Sequence, residues 1–548
     1  MRWLVILTIV ATLTGASGAA RHAHAQAATQ PADPTARMTT RAATAPGAEK
    51  EASKDDRLSV TRQALTVNGR TLNYTATAGT LSQKDEAGKA KADIFFVAYT
   101  LDGDGDARGD RDARAPAPPA TRPVTFVFNG GPGAASVWLH LGTAGPRRIN
   151  IDAQGVPSAP PFQLIDNEAT WLDATDLVFI DPVGTGYSRP AQGEKGEQFY
   201  GVKEDVQSVG AFIRLYTTRY GRWASPKFLA GESYGTTRAA GLSEHLLEKQ
   251  GISLNGIVLI SAVLNFQTIV ASGGNELPFA LYLPTYTATA WHHKRLAEDL
   301  QRDLGRTLRE AEQFALNEYT AALMKGADLS PAERDAVAQR LSRYTGLSVD
   351  WLLRSGLRIE PGRFRKQLLA DQGQIVGRFD SRIAGFTADP NDAGAEYDPS
   401  LSQFLPLYSA TFNDYVRGVL NFETDLSYEV LTERVHPWNF GQGGFGYLFV
   451  ADTLRDTMMK NPQLKLLVGA GQMDLATPYL ASDYTISHLG LPPDLQRNVT
   501  RAYYPAGHMM YHDAASRRQL HDDVANFIRA SIPAAATRER NDSRQEAR

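Results

Sequence analysis

Alternating apolar and polar positions predict strands in the first half of the chain. The alternation begins at Leu58 and turns back after Asn68-Gly69, a pair that is typical of β-hairpins. Further apolar runs predict buried strands at 92–100, 124–128, 176–180, 228–230 and 256–262. An amphipathic helix over 202–216 lies between two of these runs. Because strands alternate with helices, the pattern predicts an α/β fold with a doubly wound, mostly parallel sheet.

The pattern changes after Phe266. Over 291–357, leucine, alanine and charged residues recur at helical spacing, and Ser330-Pro331-Ala332-Glu333 is a capping box with proline at the first helical position. Residues 358–440 are mixed and broken by Pro, Asn, Asp and Gly. We therefore predict that 267–440 form a helical cap insertion over one end of the sheet.

Six parts of the chain are predicted. The sheet resumes after the insertion with strands at 464–469 and 501–504, and a helix over 520–532 closes it. The parts are a signal peptide (1–25), a disordered leader (26–56), the first part of the core (57–266), the helical cap insertion (267–440), the second part of the core (441–532) and a disordered tail (533–548).

The first residues indicate export. Arg2 precedes an apolar run, Leu4 to Leu13, that is too short to span a bilayer, and Ala23-His24-Ala25 matches a cleavage site before Gln26. No later stretch is long and apolar enough to cross a membrane. We expect a periplasmic or secreted protein with no membrane association once the signal peptide is removed.

Composition and charge exclude several kinds of function. The 548-residue chain has a net charge of −3, which gives no basis for nucleic-acid binding, and no cysteine, which excludes disulfides and thiolate catalysis. Asp102-x-Asp104-x-Asp106 resembles the start of a calcium loop, but its twelfth position would be Ala113. His292-His293 lacks an HExxH companion and is expected to start a solvated helix. We predict no metal and no cofactor, and the oligomeric state stays open.

Residues 227–235 carry the candidate nucleophile. A short apolar strand leads into Gly231-Glu232-Ser233-Tyr234-Gly235, and a helical pattern follows. A serine on such a strand-to-helix turn has a strained backbone and an exposed hydroxyl. An ordinary glycine-rich turn is the alternative, but the flanking strand and helix favour Ser233 as a nucleophile.

An acid and a histidine follow two later strands. Asp474 comes after the strand at 464–469, and His508 comes after the strand at 501–504. A serine hydroxyl needs a neutral imidazole to accept its proton, and the imidazole needs a carboxylate to fix its tautomer. The order Ser233, Asp474, His508 is that of α/β-hydrolases, so His508 is the predicted base and Asp474 its orienting acid. The nearby alternatives are His488, His512 and Asp483.

A glycine-rich turn follows the strand at 124–128 directly. Backbone N–H groups in Asn129-Gly130-Gly131-Pro132-Gly133 can point at a bound oxygen. The N–H groups of Gly131 and of Tyr234, the residue after the nucleophile, form the predicted oxyanion hole.

Together these motifs resemble the serine carboxypeptidase family. In chain order they are Asn129-Gly-Gly-Pro-Gly133, Asp181-Pro-x-Gly-x-Gly-x-Ser188, Gly231-Glu-Ser-Tyr-Gly235, Asp474 and Gly507-His508-Met509. The resemblance, to an exported bacterial member, implies an α/β-hydrolase fold with a helical insertion. It implies removal of single C-terminal residues from peptides at acid pH, through an acyl-enzyme on Ser233. It also implies that Asn129 and Glu232 hydrogen-bond the terminal carboxylate of the peptide.

Three positions depart from the family. Ala134-Ala135-Ser136 replaces Cys-Ser-Ser, Val127 replaces a tryptophan, and Thr143 stands where the family has the second acid of its carboxylate-recognition site. Because that pair of acids is incomplete, an esterase or acyltransferase with the same triad is the alternative function. A non-catalytic binding protein on this scaffold is a third hypothesis, which the intact triad opposes.

Overall fold

The computed structural model describes residues 56–67, 69–102, 121–389, 394–441 and 446–533. The predicted signal peptide, the leader up to residue 55, Asn68 of the predicted turn, Asp104 and Asp106 of the calcium-like motif and the tail from residue 534 lie outside these residues.

Ten strands in the described ranges form one main sheet, and four further strands form two separate two-stranded sheets. The strands are β1 Arg57–Val67, β2 Arg70–Lys84, β3 Ala90–Leu101, β4 Val124–Phe128, β5 Arg147–Ile149, β6 Leu164–Asp166, β7 Asp176–Ile180, β8 Arg189–Pro190, β9 Lys227–Glu232, β10 Gly256–Ile260, β11 Gln374–Val376, β12 Ala384–Phe386, β13 Lys465–Gly471 and β14 Val499–Tyr504. The main sheet has the order β1-β2-β3-β7-β4-β9-β10-β13-β14, with β8 paired to β3. Pairing is antiparallel from β1 to β7 and parallel from β7 to β14.

Both faces of this sheet are buried under helices. In β3, Phe95, Val97 and Tyr99 belong to one hydrophobic cluster and Ile94, Phe96 and Ala98 to another, as the two-residue period of a strand requires. Helices α2 (Val202–Arg219) and α3 (Tyr234–Lys249) pack in the second cluster. This arrangement confirms the predicted α/β fold with a doubly wound, mostly parallel sheet.

The remaining α-helices follow in chain order. Before α2 lies the short α1 (Val137–Leu139), and after α3 come α4 Leu277–His292, α5 Glu298–Gln301, α6 Leu304–Phe314, α7 Thr320–Lys325, α8 Pro331–Thr345, α9 Val349–Arg354, α10 Pro361–Gln367, α11 Pro399–Gly418, α12 Ala451–Lys460, α13 Tyr479–Ser487, α14 Pro493–Gln496 and α15 Ala514–Ala530. The capping box predicted at Ser330 is confirmed at the start of α8. Within the described residues, no helix combines the length and apolarity that a membrane span needs.

Four helices between β10 and β13 were not predicted: α10, α12 and the two longer helices α4 and α11. Helix α4 begins well before residue 291, and α11 occupies a segment expected to be mixed. Helix α4 is buried almost all round, so it has no polar stripe to show the helical period, and each of the two longer helices contains an internal proline, Pro284 or Pro406. His292-His293 ends α4 instead of starting a solvated helix, and His293 Nε2 lies 2.7 Å from the Ser381 carbonyl oxygen.

Candidate active site

Ser233 lies on the sharp turn between β9 and α3. Its backbone has φ 59° and ψ −130°, a conformation that a residue with a side chain rarely adopts. Its N–H donates to the Ile260 carbonyl at 3.0 Å, which ties the turn to β10. Because β9 is in the parallel part of the sheet, the turn presents the half-buried Ser233 side chain at the carboxyl edge of the strands.

Asp474 and His508 meet at the same edge. Asp474 follows β13 and His508 follows β14, and these two strands are parallel neighbours. His508 Nδ1 lies 2.7 Å from Asp474 Oδ2, and both side chains are buried. The other oxygen, Asp474 Oδ1, accepts from the N–H groups of Ala476 at 2.7 Å and Thr477 at 3.0 Å. The carboxylate is therefore held in one orientation against the imidazole.

Thr477 is a residue that the sequence reasoning missed. Its hydroxyl donates to Asp474 Oδ2 at 2.7 Å and lies 3.2 Å from His508 Nδ1. The only signal in the sequence was a threonine three residues after the candidate acid, which many turns share. Thr477 therefore fixes the side of Asp474 that faces the histidine.

The surroundings of His508 set its affinity for a proton. Burial lowers the pKa of His508, but the charge of Asp474 and the hydrogen bond to it outweigh burial and raise the pKa above its ordinary value. The Phe379 ring packs on the imidazole with 5.1 Å between centroids, and the Phe379 carbonyl accepts the His508 N–H. His508 is thus a stronger base than a free histidine.

Ser233 and His508 line the same cavity. In the described part of the chain no hydrogen bond joins the Ser233 hydroxyl to the imidazole, whose Nδ1 atom faces Asp474 and Thr477. Catalytic hydrogen bonds are often loose without substrate and tighten in the complex. The structure therefore brings the predicted nucleophile and base to one site without closing the contact between them.

The glycine-rich turn after β4 lies against the Ser233 turn. A Cβ atom on Gly130 would come within 2.4 Å of the Tyr234 nitrogen, so only glycine allows this approach. Tyr234 is the first residue of α3, and its N–H has no partner within the helix. Gly131 lines the cavity beside Tyr234, as the predicted oxyanion hole requires.

Asp181 holds the other end of that turn. Its Oδ1 accepts from the Ser136 N–H at 2.8 Å and from the Ser136 hydroxyl at 2.7 Å. Burial raises the pKa of Asp181 to about 6, and the hydrogen bonds from Ser136 oppose that rise. Asp181 therefore anchors Ser136 at the start of α1, shortly after the glycine-rich turn, and does not line the cavity.

Glu232 and Asn129 form a buried polar pair beside Ser233. Asn129 Nδ2 donates to Glu232 Oε1 at 2.8 Å, and both residues line the cavity. Burial raises the pKa of Glu232 to about 7, against the opposing effects of the His508 ring, the Tyr511 hydroxyl and the Asn129 amide. Near neutral pH, a substantial fraction of Glu232 is therefore protonated and able to donate a hydrogen bond.

Tyr511 stands near Glu232 and was not predicted from the sequence. The Tyr511 hydroxyl is close enough to Glu232 to lower its pKa, but neither this hydroxyl nor Glu232 Oε2 makes a hydrogen bond of good geometry with a described residue, although both are buried. Thr143, at the position of the missing acid, is fully buried and does not line the cavity. Val127 is buried in the hydrophobic cluster that also contains Trp138.

The competing side chains do not join this site. His512 is buried, with Nε2 2.8 Å from the Tyr408 hydroxyl, and Asp483 accepts from the Tyr503 hydroxyl at 2.9 Å. His488 Nδ1 lies 2.7 Å from the carbonyl of Tyr484 on its own helix. Among the described residues, no group of three or more His, Asp or Glu side chains is arranged to hold a metal ion.

Comparisons with known proteins agree with the motifs. Residues 113–520 match a family model described as serine carboxypeptidase. The pheromone-processing carboxypeptidase of Saccharomyces cerevisiae is 32% identical over 157 residues, which are 27% of this chain and 19% of that protein. Serine carboxypeptidase-like 36 of Arabidopsis thaliana is 28% identical over 156 residues, which are 27% of this chain and 30% of that protein. The chain thus matches less than a third of the length of these relatives.

A solved structure shares the fold. The crystal structure of a prohormone-processing carboxypeptidase from Saccharomyces cerevisiae superposes with a TM-score of 0.50 at 17% identity. The superposition covers 82% of this chain and 91% of that chain. At this identity the likeness concerns the fold, which is that of an α/β-hydrolase.

Proposed function

The chain belongs to the serine carboxypeptidase family, and we propose that it hydrolyses C-terminal residues from peptides through an acyl-enzyme on Ser233. One observation carries the proposal. The strained Ser233 turn and the His508–Asp474 pair open into the same cavity as the Glu232–Asn129 pair. A nucleophile, its base and a carboxyl-binding pair therefore surround one volume.

The proposed reaction uses these groups in sequence. His508 accepts the Ser233 hydroxyl proton as the oxygen attacks the last peptide carbonyl. The N–H groups of Gly131 and Tyr234 donate to the oxyanion that forms. His508 then protonates the leaving amine, and a water molecule, deprotonated by His508, attacks the acyl-enzyme and releases the shortened peptide. Asp474 stabilises the protonated imidazole throughout.

Recognition of the peptide end is assigned to Glu232 and Asn129. Two carboxyl groups at hydrogen-bond distance cannot both stay ionised at low cost, so protonated Glu232 donates to the substrate carboxylate. Glu232 Oε2 is buried beside Tyr511 and makes no hydrogen bond of good geometry with a described residue, so it can turn to this contact. The raised pKa of Glu232, about 7, keeps the donor available at mildly acid pH.

Labelling tests the nucleophile. A fluorophosphonate should modify wild-type protein once, at Ser233, as peptide mapping of the adduct will show. Ser233→Ala should take no label, whereas a matched variant of a buried serine outside the cavity, Ser243→Ala, should label as wild type does. A label that persists on Ser233→Ala contradicts the assignment.

An esterase or acyltransferase on the same triad is the second candidate. The observation that favours it is Thr143, buried without a charge where the family has its second carboxyl-binding acid. Hydrolysis of an ester that has no free carboxylate, compared with hydrolysis of a free-ended peptide of the same acyl group, distinguishes the two. An ester-only enzyme would leave the peptide intact.

We also propose that the protein is an exported bacterial member of its family, either periplasmic or secreted. The small-x-small site before Gln26 supports this proposal. From the change of pattern after Phe266 we also propose a core of 57–266 and 441–532 interrupted by a cap insertion of 267–440. N-terminal sequencing of native protein should begin near Gln26, and a sequence starting at Met1 would contradict export with cleavage.

A further inference from the structure

Arg378 is a charged residue of the cavity that the proposed reaction does not use. It lies in the segment Gly377–Ser381, between β11 and β12, and lines the cavity together with Ser233 and His508. Its guanidinium packs over the Phe379 ring, 5.2 Å from the centroid, and that ring packs in turn on the His508 imidazole. Arg378 is exposed, so its charged group is accessible at the wall of the cavity.

The acids near Arg378 have other partners. Asp398 accepts the Arg378 backbone N–H at 3.0 Å, the Ser400 N–H at 3.0 Å and the Ser400 hydroxyl at 2.6 Å, because it caps α11. Asp380 pairs with Arg382 at 2.7 Å. Among the described residues, no carboxylate forms an ion pair with the Arg378 guanidinium. An unpaired cation in the wall of a substrate cavity is a binding group for an anion.

The position of Arg378 indicates which part of the substrate it meets. Phe379 and Leu401 line the cavity and pack on the cluster that contains Trp138 and Met509. Asn129 and Trp138 line the same cavity, and the Asn129 side-chain oxygen accepts the N–H of Leu139, the residue after Trp138, at 3.1 Å. If Asn129 and Glu232 bind the peptide end, the leaving residue lies along this wall, at whose edge Arg378 stands.

We propose that Arg378 binds a carboxylate of the leaving residue and makes the enzyme selective for peptides that carry negative charge there. This inference rests on the proposed function, since that function defines the leaving residue. The carboxylate has two sources: an aspartate or glutamate side chain at the C-terminus, or the terminal α-carboxylate itself.

Peptides that differ only in their last residue test the proposal. The kcat/KM values of wild type, Arg378→Gln and Arg378→Lys are compared on one peptide ending in Glu, in the isosteric Gln, and in Gln amide. Arg62→Gln removes an exposed charge on β1 and is the matched control. A contact to the side chain predicts that wild type prefers Glu to Gln about three- to fivefold, as expected for a solvated ion pair. Arg378→Gln should abolish the preference, and Arg378→Lys should keep most of it.

A contact to the α-carboxylate gives a different pattern. The Glu-ended and Gln-ended peptides would then lose the same factor in Arg378→Gln, while the amide would keep its wild-type rate. Equal losses on all three substrates, or no loss on any, would overturn the proposal, because Arg378 would then act only through Phe379 and His508 or not at all.

Failure of the carboxypeptidase function would look different from failure of this inference. If the carboxypeptidase function is wrong, wild type shortens none of the peptides. Binding of the Glu-ended and Gln-ended peptides to Ser233→Ala, measured by calorimetry, does not need turnover. Weaker binding of the Glu-ended peptide when Arg378→Gln is added to Ser233→Ala would still support the contact. Unchanged binding of both peptides to that double variant would overturn it.

Discussion

Glu232 and His508 together give the active site its expected pH dependence. Burial raises the pKa of Glu232 to about 7, and the charge of Asp474 raises the pKa of His508 despite burial. If Glu232 binds the peptide carboxylate as proposed, binding needs protonated Glu232 and is lost as the pH rises through the pKa of Glu232. Acylation needs neutral His508 and is lost as the pH falls through the pKa of His508. The two requirements leave a bell-shaped profile for peptides.

The variant Glu232→Gln separates the alkaline limb of this pH profile, assigned to Glu232, from the acid limb, assigned to His508. The amide donates a hydrogen bond at every pH, so the peptide KM of the variant should lose its rise above about pH 7. The negative charge of Glu232 also raises the pKa of His508, so the acid limb should move to lower pH in the variant. Peptide and ester kinetics from about pH 5 to about pH 9 measure both effects. A variant that keeps the wild-type dependence of KM would show that Glu232 does not bind the carboxylate.

Thr477 is expected to position Asp474 for catalysis. Thr477→Val removes the hydroxyl that donates to Asp474 Oδ2 and keeps the side-chain shape. Loss of such a supporting bond should lower kcat about tenfold or more, with little change in KM. Thr485→Val is the control, because its buried hydroxyl donates only to the Ala481 carbonyl of its own helix. Equal kcat in the two variants would contradict a positioning role.

Secondary structure elements from distant parts of the chain meet behind His508. The segment Gly377–Ser381 donates and accepts backbone hydrogen bonds with the loops that carry Asp474 and His508, from Leu475 to Arg378 and from Ser381 to Met473. The loop after β14 can approach this segment only because it has glycine at 507. The segment between β10 and β13 thus contributes to the placement of His508 as well as to the cavity wall.

Gly507→Ala tests this contact between elements. A Cβ atom at Gly507 would lie 2.4 Å from the Phe379 carbonyl oxygen and 2.6 Å from Asp380 Cα, and backbone atoms cannot move aside cheaply. We expect a loss of kcat/KM of more than about tenfold on peptide and ester alike, with a lower melting temperature. Gly273→Ala is the control, since nothing lies within 4 Å of its Cβ position. Wild-type kinetics in Gly507→Ala would contradict the tight packing.

Local pattern predicted the parallel strands well, because β7, β9 and β10 are short and buried and alternate with helices α2 and α3. It also singled out Ser233, Asp474 and His508 as candidates, since each closely follows a strand, and the structure places all three at one edge of the sheet. It failed for α4 and α11, where burial on all sides and internal prolines hide the helical period. It could not predict that Arg378 and Phe379 line the cavity, because only the folded chain brings the segment Gly377–Ser381 against the loop after β14.

The protein as a whole is proposed to act on the carboxyl ends of peptides, and the mass of the products decides this. An N-acetylated peptide with a free C-terminus and its C-terminal amide are incubated separately with wild type and Ser233→Ala, and the intact masses are followed in time. We predict that wild type removes single residues in order from the free C-terminus and acts far more slowly on the amide. Ser233→Ala should have neither activity. Internal cleavage, or equal rates on the free peptide and the amide, would contradict a carboxypeptidase.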